Sequence, residues 1–403
     1  MIKRASIFLI GALFAFVTVV SIDPATAAPC SPTSTTSGTT TVLKFTTVGS
    51  CTWTVPANVS SINILIVGGG GGGGGDAAGG GGGGGVYMNT SLAVTPSTSP
   101  TIQVGAGGNG GQCSTGNAGE CVSPPLTTAG YIAASNGASS AFDVISVAGG
   151  GKGGVYNSGA GGNGGSGGGG AAPGGAGGTS TVSGTYFYGN SGGTSNGAGG
   201  GGGGGAGQVG GNGAPGNGGN GIASSITGVS TFYAGGGGGG GSGTRGTGGS
   251  GGGGAGATSC SYQFALGTDS NQAQAGTANT GGGGGGAPYG CAGSGGAGGS
   301  GVVIIAYTLI PTITSLALST GLKSAIYRTN SIIQATLSSD GKVRFLVNGK
   351  QIPGCINISS TSSIASCTWR PSNRGDVNIS ARVVGGSSTA QLGIAISTRM
   401  IKR

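Results

Sequence analysis

Gly68 to Gly75 is an unbroken glycine run, and after Asp76-Ala77-Ala78 a second run continues from Gly79 to Gly85. Such a stretch has almost no side chain with which to build an apolar core. Any order in it must come from main-chain N–H and C=O groups, against the large entropy that glycine loses on folding. The pattern is not local. The 403-residue chain has 105 glycines, and all but nine lie between residues 28 and 310. There they make up about one residue in three, against about 7% in ordinary proteins. Collagen is excluded, because it needs a strict Gly-X-Y repeat and abundant proline. The runs read as lacking a three-residue period, and the chain has 14 prolines.

Met1 to Ala27 reads as a secretory signal peptide. Lys3 and Arg4 precede the apolar stretch Ala5 to Ile22, and Ala25-Thr26-Ala27 gives a small-x-small cleavage pattern before Ala28. Pro29 argues against lipidation of Cys30. No later segment is an apolar run long enough to span a bilayer, so the mature chain is expected to have no transmembrane segment. Export and eight cysteines predict disulfides. Order along the chain pairs Cys30 with Cys51, Cys113 with Cys121, Cys260 with Cys291 and Cys355 with Cys367, although sequence alone does not fix connectivity. A zinc site is disfavoured, since histidine is absent and no Cys-x-x-Cys spacing occurs.

Charge divides the chain in two. Residues 28–310 hold Lys44, Lys152 and Arg245 against Asp76, Glu120, Asp143 and Asp269. Residues 311–403 hold eleven basic residues against Asp340 and Asp376. A basic exported module could lie against an anionic envelope polymer or serve as a solvated surface. Nucleic acid is not an expected partner, because interleaved aromatics are few.

The predicted organisation is a signal peptide over 1–27, a Ser/Thr/Pro linker over 28–40, a glycine-rich domain over 41–310 and a β-rich domain over 311–403. Alternation and β-branched runs predict strands at Thr41–Thr46, Cys51–Val55, Ser61–Val67, Ala141–Val147 and Val302–Tyr307. Ser91–Val94 and Thr101–Val104 read as a hairpin about Pro96 and Pro100. No window predicts an amphipathic helix beyond the leader. After residue 310, strands are predicted at Ile313–Leu318, Ser331–Leu337, Lys342–Val347, Val377–Val384 and Ala390–Ser397. Asn348-Gly349 is the strongest hairpin signal.

Two states are open to the glycine runs. One is a flexible linker. The other is a bundle of rods in the polyproline II conformation, with 3 residues per turn and about 3.1 Å rise. Bare backbones in such rods can approach until each N–H meets a neighbour's C=O. The strands that frame the runs, the similar run lengths and the cysteine clips favour rods.

Phe45-Thr-Thr-Val-Gly-Ser-Cys-Thr-Trp-Thr-Val-Pro56 and Ile62-Asn-Ile-Leu-Ile-Val-Gly-Gly-Gly70 resemble the opening of a family of bacterial secreted glycine-rich domains. Gly221 to Gly228, Ala275 to Gly281 and Gly298 to Tyr307 extend the resemblance over about 41–310. The domain is also similar to the glycine-rich region of anaplastic-lymphoma-kinase-type receptors and to the tip adhesins of some phages. That resemblance implies a mainly β fold, a β-sandwich framing a bundle of poly-glycine helices, and a role in extracellular structure, adhesion or recognition. Gly341 to Cys355 and Cys367-Thr-Trp-Arg-Pro371 resemble bacterial surface Ig-like domains, implying a C-terminal Ig-like β-sandwich.

No chemistry-bearing motif stands out. Gly-x-Gly-x-x-Gly matches by composition alone, and Gly151-Lys152 is followed by Gly153 rather than Ser or Thr. One calcium-type nonapeptide at Gly71–Gly79 lacks repeated copies. Nothing in spacing pairs Asp76 with Asp143 or Glu120 for acid–base work. No catalytic residue, metal or cofactor is therefore expected. The binding candidates are the aromatic islands Tyr186, Phe187 and Tyr188, then Phe232 and Tyr233, which either display rings at turns or pack them beneath the runs. The expected partner is a surface glycan or protein. The rival expectation is a passive structural component of the envelope or matrix.

Overall fold

The computed structural model describes residues 28–112, 133–157, 159–197, 199–213, 215–258, 272–288, 294–386 and 388–397. All of the regular elements among them are β-strands. The expected leader and the Cys113–Cys121 and Cys260–Cys291 pairs lie outside the described residues.

The strands of the glycine-rich part are β1 (Thr33–Ser37), β2 (Thr40–Phe45), β3 (Gly49–Thr52), β4 (Ser61–Val67), β5 (Val86–Ala93), β6 (Thr101–Val104), β7 (Ser140–Phe142), β8 (Ile145–Val147), β9 (Phe187–Tyr188), β10 (Ile222–Ser224), β11 (Thr231–Tyr233) and β12 (Val302–Thr308). They form a six-stranded sheet in the order β1-β2-β12-β4-β5-β9, a four-stranded sheet β3-β6-β7-β8, and the β10-β11 hairpin. The run Ile64-Leu65-Ile66-Val67 is apolar throughout because β4 is covered on both faces. Ile62, Ile64 and Ile66 meet Trp53, Ile102 and Phe142 on one side. Leu65 and Val67 meet Ile304, Ala206 and Tyr233 on the other. The two sheets therefore share one core, and the hairpin closes a second.

Four stretches differ from the expectation. The strand expected at Cys51–Val55 is β3, Gly49–Thr52, and Trp53 to Val55 lie beyond it. Residues 28–40 carry β1, which pairs with β2 from Thr33↔Lys44 to Ser37↔Thr40. Cys30 is bonded to Cys51, with Cα atoms 5.0 Å apart, so this stretch is tied to the sheets. Ser91–Val94 and Thr101–Val104 do not form a hairpin: β5 pairs with β4, and β6 pairs with β3 in the other sheet. Ala141–Val147 is two short strands that turn at Asp143, whose φ of 51° is left-handed.

The runs that continue β4, β5 and β12 meet these strands at the same end of the framework. Val67 of β4 lies opposite Val86 of β5 and Val302 of β12, so the runs leaving β4 and entering β5 and β12 begin side by side. Their hydrogen bonds recur every three residues. Gly68, Gly71 and Gly74 donate to Gly85, Gly82 and Gly79. Gly69 and Gly72 donate to Ala138 and Ser135, and Gly70 and Gly73 to Gly299 and Gly296. The same run accepts from Gly284, Gly153 and Gly111 at Gly71, Gly72 and Gly73. It therefore donates to three neighbouring runs and accepts from three others.

This geometry leaves no place for side chains. A Cβ on Gly72 would collide with the carbonyl of Asn109, one on Gly73 with that of Gly285, and one on Gly80 with that of Gly237. The pure-glycine runs 68–75, 79–85, 199–205, 235–241 and 281–286 are buried throughout. The peripheral runs are different, and they correct the reading that no three-residue period exists. Ala106, Asn109 and Gln112 are exposed at every third position, as are Asn217 and Asn220, and Thr244, Thr247 and Ser250. In these turns glycine occupies the inward positions except at Arg245, and the exposed side chains stand where no neighbouring run does.

The remaining strands are β13 (Ile313–Leu318), β14 (Ser324–Ile326), β15 (Ser331–Leu337), β16 (Lys342–Val347), β17 (Lys350–Gln351), β18 (Ile358–Ser359), β19 (Ile364–Trp369), β20 (Gly375–Val383) and β21 (Thr389–Ser397). They form a sheet β13-β15-β19 and a sheet β14-β21-β20-β16-β17, with β18 also on β16. Ile333, Phe345, Trp369 and Ile379 fill the core they share. Asn348 and Gly349 both have positive φ and turn β16 into β17, as their sequence demands. Cys367 on β19 is bonded to Cys355. The carbonyl of Cys355 accepts from Phe345 N on β16, so the bridge closes a short loop and also ties the two sheets.

Candidate recognition surface

The aromatic islands stand on short strands against the glycine-rich framework. β9 is the outer strand of the six-stranded sheet, with Tyr87↔Phe187 and Val86↔Tyr188 in register. Alternation along it separates the three rings. Phe187 packs into the core between the sheets, its ring 4.9 Å from Tyr87. Tyr188 faces the second core, beside Val86 and Tyr233. Tyr186 precedes the strand, held by Met88 N–H donating to its carbonyl at 3.0 Å. Its ring meets Tyr87 edge-on at 6.0 Å and stays 46% exposed.

The second island divides the same way. Tyr233 on β11 is 3% exposed and fills the second core. Burial pushes its hydroxyl above the usual tyrosine range, and a hydrogen bond with Thr231 opposes this. Phe232 projects to the other side and is 47% exposed. Val229, beyond the turn at Gly228, is exposed as well. Of the five candidate rings, Tyr186 and Phe232 can meet a partner, whereas Phe187, Tyr188 and Tyr233 anchor their strands. The glycine runs leave the opposite ends of β9 and of the hairpin, so Tyr186 and Val229 point away from the bundle.

Sequence reading missed the asparagines on the bundle's flank. An open groove of about 550 Å³ is lined by Gln208, Asn212, Asn217, Asn220 and Thr247, among others. The side-chain carbonyls of Asn212, Asn217 and Asn220 accept from the amides of Thr194, Thr247 and Ser250 at 2.8–2.9 Å. Here a side-chain amide replaces the main-chain carbonyl that an interior neighbour would present. The recurring Gly-Asn-Gly was the available signal.

Asp76 is buried between the first two runs, at their far tip, while Asp143 is exposed at the β7–β8 turn. A glycine run and the length of β8 separate their ends of the domain, and Glu120 lies outside the described residues. Among the described residues, no group of three or more His, Cys, Asp or Glu could hold a metal ion. No helix among them is long and apolar enough to cross a membrane.

No curated protein matches this sequence. The glycine-rich domain family matches residues 46–308, the span from just after β2 to the end of β12 that contains every run described above. The chain therefore belongs to the glycine-rich domain family.

Proposed function

We propose that this is an exported, non-enzymatic surface protein in which a stiff glycine bundle holds recognition loops at a fixed place. In this reading the runs are poly-glycine helices of the polyproline II type, framed by a β-sandwich over 41–310. Their three-residue bonding period supports it, because that helix has 3 residues per turn. Residues 311–403 form an Ig-like domain that acts as spacer or envelope contact. The two disulfides among the described residues suit an oxidising compartment.

The observation that carries the reading is the split within each aromatic island. Tyr186 and Phe232 are exposed beside rings that are locked in the cores, so two large apolar groups are presented on immobilised strands. Rigid aromatic anchors bind with little loss of conformational entropy. The expected ligand is a surface glycan or protein.

A Tyr186→Ser/Phe232→Ser variant tests this. Binding to intact cells and to an array of surface glycans should fall with the unfolding temperature unchanged. Unaltered binding would remove the two rings from the account. The second reading, a passive structural component of the envelope or matrix, gains from the packing of Phe187, Tyr188 and Tyr233, which leaves little aromatic surface to display. It predicts that the same variant has no binding phenotype.

A further inference from the structure

We infer that Arg328, Arg370 and Arg374 form a binding site for the linked phosphate groups of a linear phosphate polymer. The three come from two loops that flank Tyr327. The guanidinium carbons of Arg328 and Arg374 lie 5.2 and 5.1 Å from the Tyr327 ring centre. Arg370 Nε donates to the Arg328 carbonyl at 2.8 Å. Arg328 N in turn donates to the Pro371 carbonyl at 3.1 Å, which fastens the two loops together. None of the three is ion-paired with a carboxylate among the described residues, although all three are exposed.

Two features set this cluster apart from a solvated basic surface. Arg328 has φ of 58°, a conformation uncommon outside glycine and short polar residues, so the fold keeps an arginine here at a backbone cost. Tyr327 gathers two like charges onto one ring, and cation–π attraction offsets part of their repulsion. A third guanidinium stands beside them. A carboxylate offers two oxygens and is satisfied by one guanidinium fork. A phosphate within a chain also has two charged oxygens, but it sets them tetrahedrally, so guanidinium forks can approach it from more than one plane. Because the cluster is exposed, a single phosphate would be held weakly, whereas a chain of phosphates keeps a second group at high effective concentration.

This deepens the envelope-contact part of the proposed function and does not depend on Tyr186 or Phe232. It is read on the purified full chain with soluble polyphosphate as probe, whatever the cell-binding result. R370Q/R374Q should weaken polyphosphate binding at least about tenfold. K342Q/K350Q removes the same charge from the same part of the chain and should weaken it less than about threefold. R374K keeps the charge but loses the fork, and several-fold weakening is expected. Poly-glutamate of matched charge should bind more weakly than polyphosphate. Equal losses in the two double variants, wild-type binding by R374K, poly-glutamate binding as tightly as polyphosphate, or no polyphosphate binding by the folded wild type would each overturn the assignment. Unchanged unfolding midpoints keep the comparison clear of misfolding.

Discussion

Gly71 donates its amide to the carbonyl of Gly82 at 2.9 Å, but the amide of Gly82 turns away and donates to Gly151 at 2.7 Å. In an antiparallel sheet, facing residues exchange both bonds within one pair. Here each interior run spreads its donors over three neighbours. The cohesion is two-dimensional, and it exists only because no side chain keeps the backbones apart. Each bond contributes about 0.5–1.5 kcal/mol net. The strands, with their two apolar cores, fix where the runs begin.

Gly72→Ala should be destabilising, because its Cβ would meet the Asn109 carbonyl, and backbone on both sides cannot yield. Overpacking of this kind costs about 1–3 kcal/mol or more. Ala106→Ser changes an exposed outward position and should stay within about 0.5 kcal/mol. Urea midpoints of the two variants check the contrast.

Ser166 is 0% exposed and its hydroxyl has no hydrogen-bond partner among the described residues. Its Cβ already fits, so Ser166→Ala removes only the unmet polar group. Unfolding should be unchanged or harder by about 1 kcal/mol. A clear loss of stability would mean that the hydroxyl has a partner.

The Cys30–Cys51 bridge closes a separation of 21 residues and fastens the first strands to the framework. Replacing both cysteines with serine should cost about 3 kcal/mol on the chain-entropy view. The midpoint of the oxidised double variant, compared with wild type, measures it.

Burial raises the hydroxyls of Tyr233 and Tyr307 above the ordinary value of 10.0, with hydrogen bonds to Thr231 and Thr41 opposing the shift. The unfolded chain therefore ionises first as pH rises, so these groups leave stability intact below about pH 10 and erode it above. Tyr233→Phe/Tyr307→Phe should flatten that decline. Urea midpoints between pH 8 and 11 distinguish the two profiles.

What the sequence revealed follows from which forces are local. Alternation in Thr41–Thr46 and the turn at Asn348-Gly349 are set within a few residues, and both were legible. The pairing of β6 with β3 rather than β5 depends on a partner far along the chain, which Pro96 and Pro100 do not specify. Poly-glycine signalled close backbone approach, yet the interior runs have no pattern from which to read neighbours. The readable signal sat in the peripheral runs, where Ala106, Asn109 and Gln112 mark the exposed side every third residue. Among the candidate rings, Tyr186 and Phe232 could not be told from Phe187 and Tyr233 by residue type. Strand alternation against two cores decides which ring faces out.

Hydrogen–deuterium exchange of the native, oxidised protein tests the central claim most directly. Amides of the buried runs 68–85, 199–206, 235–241 and 281–286 should be protected to the level of β4 and β12. Exchange in those runs as fast as in an unstructured glycine peptide would contradict the account.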